Sequence, residues 1–160
     1  MKRQFVLDQF EALFPLAVLW AMGQEQHILQ RGLPLSEMEG ADAERVEVQN
    51  RGLVRLLQVD SIPRPDDAAL KAACDAIDFL TPSTRGLTLG HGILVRTDCW
   101  RDRALIAHEL VHVGQYERFG GIEPFLRQYL TECLTVGYSQ SPLEVEAVTV
   151  SARLDVRHQA

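Results

Sequence analysis

Near the N-terminus, apolar positions recur at helical spacing: Phe10, Leu13, Ala17, Trp20 and Ala21 share one stripe, with Glu11, Gln24 and Glu25 elsewhere. Pro15 either sits in the first turn or kinks this helix, and Gly32 with Pro34 marks its end. "PLSEMEGADAERVEV" reads as a turn with room for a short helix. Residues 53–63, "LVRLLQVDSIP", have the branched and aliphatic content of a strand, closed by Pro63 and Pro65. Asp66 or Asp67 can cap a helix whose apolar face is Leu70, Cys74, Ile77 and Leu80, stopped by Pro82 and Gly86. "GLTLGHGILVRTD" is extended, either as a tight hairpin turning at Gly90-His91-Gly92 or as one long edge strand. Asp98 or Asp102 can cap the next helix, which Gly120-Gly121 ends. Two more helical segments, about 122–134 and 143–156, flank "VGYSQSP".

This order of elements predicts a compact α+β domain, a small sheet or hairpin packed with about five helices. At 160 residues the chain is expected to form one domain, with an N-terminal helical part over about 1–50 and a core over about 51–160. The apolar fraction of 46% and charged fraction of 24% are those of a soluble globular chain. A net charge of −6, with scattered basic residues, argues against nucleic acid as a partner. Cys74, Cys99 and Cys133 form no CxxC pair and no even framework, so free thiols in a reducing compartment are expected. The N-terminal stretch loosely mimics a secretion signal, but Asp8, Gln9 and Glu11 interrupt it and residues 14–22 are too short to span a bilayer. An amphipathic first helix, a cytoplasmic protein and no membrane partner are the expectations, with secretion the minor alternative.

"RALIAHELVHVGQYERFGG" carries the candidate chemistry. On a helix, His108 and His112 lie on one face and can present two imidazole nitrogens to one metal ion. Glu109 projects beside that face, where it can take a proton from a metal-activated water. Zinc suits two imidazoles and a carboxylate, with a fourth position left for water. No histidine follows closely, since position 115 is Gln and position 118 is Arg, so the third ligand is expected from a later helix. "SPLEVEAVTV" offers Glu144, with Glu146 as the alternative; the two point to nearly opposite sides of a helix. Ala147 would let that helix pack closely on the motif helix.

"LTLGHGILVRTD", "LIAHELVHVGQYERFGG", "FLRQYL" and "GYSQSPLEVEA" resemble the gluzincins, HExxH metallopeptidases with a downstream glutamate ligand, in minimal single-domain form. More closely, they are similar to small, uncharacterised bacterial zinc metallopeptidases with HELxHxxQ followed by ExEA. The resemblance covers about residues 86–147. It implies a zincin-like fold, one zinc ion on His108, His112 and Glu144, a catalytic Glu109, and a peptide or protein substrate. It also implies an edge strand above the cleft, at residues 93–96. Gln115 matches a family glutamine of underived role, and Val148 stands where related families carry Asp or Asn.

Carbonyl attack also needs a donor for the developing oxyanion. Tyr138, in the turn before Glu144, is the candidate; Tyr116, one turn beyond His112, is the alternative, and packing is the plainer role for both. His91 reads as an exposed loop histidine, and Arg96, Arg101 and Arg103 as solvated or paired with nearby acids. The expected function is zinc-dependent peptide hydrolysis. The alternatives are a zinc-binding regulatory or interaction domain with a peptidase-like fold and little turnover, or a metal-free helical protein. Substrate preference and oligomeric state are not readable from the sequence.

Overall fold

Gly92, Ile93, Leu94 and Val95 form an unbroken buried run, and an apolar run without alternation is what a strand covered on both faces requires. The computed structural model, which describes residues 2–158, makes this segment the inner strand β4 (Gly92–Arg96) of a four-stranded mixed sheet. The other strands are β1 (Leu33–Pro34), β2 (Arg55–Val59) and β3 (Gly86–Leu89), in the order β1-β2-β4-β3. β4 pairs parallel with β2, in register from Arg55 opposite Gly92 to Val59 opposite Arg96, and antiparallel with β3. The expectation that residues 93–96 form an edge strand is therefore corrected: the edges are β1 and β3. The hairpin alternative holds, because Gly90 turns the chain at φ 64° and the Glu25 carboxylate leaves no space there for a Cβ.

Six helices surround the sheet among the described residues: α1 (Lys2–Arg31), α2 (Glu37–Arg45), α3 (Ala68–Ala76), α4 (Arg103–Phe119), α5 (Ile122–Thr135) and α6 (Pro142–His158). Local capping explains several starts. Ser36 and Glu39 form a reciprocal capping box on α2, Asp67 accepts from Ala69 and Leu70 N–H on α3, and Asp102 accepts from Leu105 N–H on α4. Asp98 instead pairs with Arg96. α3 ends earlier than its apolar spacing suggests, and Leu80 is buried from a loop position with φ 54°.

The sheet has helices on both faces. Ile93, Val95 and Leu56 pack against Ile106, Leu110 and Val113 of α4, with Ala147 and Leu154 of α6 in the same cluster. Leu94 meets Ile28 of α1 on the other face. A second cluster joins Phe14, Val18 and Ala21 of α1 to Tyr116 of α4 and to Phe125 and Tyr129 of α5. α1 continues through Pro15, and it is not simply amphipathic. Its buried positions are Val6, Phe14, Val18, Ala21 and Ile28, while Phe5 (59%), Leu19 (67%) and Met22 (52%) are exposed. As one continuous helix it is long and apolar enough to cross a membrane by length and composition alone.

Candidate metal centre

α4 and α6 pack side by side with Ala147 fully buried between them, and this contact brings Glu144 over the two histidines. His108 Nε2 lies 3.1 Å from Glu144 Oε2, His112 Nε2 lies 3.2 Å from Glu144 Oε1, and the two imidazole nitrogens are 3.1 Å apart. The three side chains could hold one metal ion. A tetrahedral zinc with bonds of about 2.0–2.1 Å sets its ligand atoms about 3.3 Å apart. Here the histidines meet different oxygens of Glu144, and one ligand atom from each of the three residues lies within 4.8 Å of the others. Glu146 points elsewhere, to Arg118 Nη2 at 2.6 Å and to Gln115. Val148 is 58% exposed and stands at the cleft rim rather than behind a histidine.

The role of Gln115 follows from its partners. Its Nε2 donates to the Leu143 carbonyl (2.9 Å) and to the Glu146 carboxylate (3.1 Å), both acceptors only, and this fixes the orientation of the amide. Its Oε1 then faces His112 Nδ1 at 2.8 Å, so that nitrogen must be the donor. In the neutral imidazole, His112 Nε2 then has its lone pair directed at His108 and Glu144. Lone pair against carboxylate is repulsive unless a proton or a metal ion lies between them. The same pull acts on a proton: burial opposes the imidazolium, but hydrogen bonding to Glu144 and the charge of Glu109 push His112 up to about 8. Burial likewise works against the Glu144 carboxylate, yet His108 and His112 hold it well below the usual carboxylate range.

α5 supplies contacts that the sequence reading missed. The Tyr129 hydroxyl donates to Glu144 Oε1 at 2.7 Å. One turn further on, buried Glu132 accepts from the Ser141 hydroxyl (2.7 Å), Leu143 N–H (3.0 Å) and Gln128 Nε2 (2.8 Å). Glu132 thus serves as an N-cap lent by another helix, placed against the positive end of α6 beside the ligand. The spacing of Phe125, Tyr129, Glu132 and Cys133 puts them on one buried face of α5, but only the packing of α6 shows what that face holds.

Glu109 is buried beside the histidines, and the Thr88 hydroxyl on β3 donates to its Oε2 at 2.6 Å. A Cβ at Gly86 would stand 3.0 Å from the other carboxylate oxygen, so glycine lets the edge strand approach this close. Tyr116 spends its hydroxyl on the Thr88 carbonyl at 3.0 Å, which positions β3 and removes Tyr116 as an oxyanion donor. Tyr138 stands 47% exposed on the rim of the same cleft. Partial burial, then the charges of Glu144 and Glu109, push its phenol up from the ordinary range.

His91 is not an exposed loop histidine. It is partly buried in the β3–β4 turn, where its Nε2 donates to Glu117 Oε2 at 3.0 Å, away from the cleft. Arg101 pairs with Glu39, and Arg103 forms a two-pronged pair with buried Asp42 at 2.8 Å, which fastens α2 to the start of α4. No protein-family model, curated protein or solved structure matches the chain.

Proposed function

We propose that the protein is a zinc-dependent peptide hydrolase with a minimal gluzincin-like, zincin-type fold. His108, His112 and Glu144 hold one zinc ion, and Glu109 acts as the general base. The observation that carries this reading is the convergence of Glu144 on two histidines, one of which is oriented by Gln115 with its Nε2 toward the shared centre.

Zinc bound there supplies a Lewis acid that polarises a carbonyl oxygen and acidifies water. Glu109 accepts the water proton on its carboxylate and returns it to the leaving amine. Thr88 holds that carboxylate in place through its 2.6 Å hydrogen bond. Tyr138, protonated and at the cleft rim, donates to the carbonyl oxygen as its charge develops.

Glu109→Gln separates binding from chemistry, because the amide keeps an acceptor for Thr88 but cannot take a proton. The variant is expected to retain zinc and lose peptide hydrolysis by about 10²–10⁴-fold. Undiminished hydrolysis would refute the assigned role, and zinc retention without hydrolysis by the native protein would favour a binding domain.

A further inference from the structure

The histidines and Glu109 lie at the wall of a cleft of about 1070 Å³. Pockets that enclose a drug-sized ligand run from about 300 to 1,000 Å³, so there is room here for more than one side chain. The wall facing the site comes from outside the motif region. α1 contributes Leu13, Ala17 and Trp20, all half-buried, and α3 with the loop after it contributes Cys74, Ile77 and Phe79. Apart from the four residues of the candidate centre, the charged side chains on the wall are Asp78, Arg85 and Asp102. Against those α1 and α3 side chains, all of them uncharged, a charged substrate group would lose water without gaining a partner.

A peptide is favoured over another apolar molecule by the strand along one side of the cleft. β3 pairs only with β4 among the described residues. Thr88 and Leu89 are buried and the Thr88 carbonyl is taken by Tyr116, but Gly86 and Leu87 are partly exposed and line the cleft. An extended backbone can add to such an edge while its side chains enter the apolar space. Resting on the hydrolase reading above, we infer that the site takes peptide segments with at least two bulky apolar residues around the bond to be cut, selected by the α1–α3 wall.

The test uses zinc-loaded full-length Glu109→Gln protein as a trap for an equimolar peptide mixture whose central residues are apolar, small polar or charged. Retained peptides are identified by mass spectrometry, and the native protein is assayed on the same mixture. Apolar-centred peptides should be retained at least about tenfold over charged ones, and cut in that preference. Ala17→Trp, which fills the cleft from α1, should shift retention toward smaller side chains. Ile77→Ala, which enlarges the cleft at the α3 part of the same wall, should shift it toward larger ones, an opposition that general loss of stability does not produce. Retention without apolar preference, or no retention, overturns the inference and leaves the Glu109 test of hydrolysis standing. Apolar retention with no cutting by the native protein supports the cleft assignment and overturns the hydrolase reading instead.

Discussion

The side-chain oxygen of Gln115 lies 2.8 Å from Nδ1 of His112, one turn earlier on α4. Because the amide nitrogen is already committed to Leu143 and Glu146 on α6, the glutamine sets the tautomer of a candidate ligand and ties it to the helix that carries another.

Replacing Gln115 by leucine removes the acceptor while keeping the side-chain bulk. Loss of such an outer partner typically weakens metal binding 10–100-fold, and a fall of about that size is expected in zinc affinity measured by competition with a chelating dye. Unchanged affinity would mean that the glutamine merely fills space.

Glu132 should matter to α6 more than its distance from the histidines suggests. Glu132→Ala strips the buried Leu143 N–H and Ser141 hydroxyl of their acceptor, and a loss of roughly 3 kcal/mol in urea unfolding is expected. Zinc affinity should fall with it, since Leu143 adjoins Glu144. A loss below about 0.5 kcal/mol, the size of an ordinary surface change, would contradict the capping role.

The Glu117 carboxylate ties three segments together, accepting from Gln49 N–H, Asn50 N–H and His91. Burial opposes its ionisation, but the His91 bond and the two backbone donors hold it below its ordinary value of 4.5. A depressed carboxyl stabilises the fold above its unfolded value and loses that contribution as pH falls through the folded one. The stability gap between native protein and Glu117→Gln should therefore be full near neutral pH and close below about pH 4.5. A gap that is constant with pH would show that the ionised form is not what stabilises.

How far the sequence carried this picture depended on the range of the interaction. Asp67 and Asp102 cap helices within their own turns, so composition and spacing located those starts. His108 and His112 share a face by helical geometry alone, and Glu144 needed only the further assumption that α6 lies along α4. Pairing is a different matter. The run from Gly92 to Val95 was compatible with an edge or an inner strand until β2, 33 residues or more upstream, took its other side. The α1 stripe was displaced for a similar reason: Phe14 and Val18 are buried in the core, whereas Leu13 and Ala17 are half-buried at the cleft and Trp20 both lines the cleft and packs on the core, because this helix serves two surfaces. Tyr129, Glu132 and Thr88 reach Glu144, the start of α6 and Glu109 through partners on other elements, and no local pattern marks those contacts.

The central claim rests on a single ion held by three named side chains. Purified protein should be stripped with a chelator, reloaded with zinc, desalted and measured for metal content, alongside His108→Ala, His112→Ala and Glu144→Ala. The account predicts one tightly held zinc per native chain, with metal-dependent thermal stability, and loss of both in each variant. A native chain that retains no zinc, or a Glu144→Ala protein that retains it undiminished, would contradict the account.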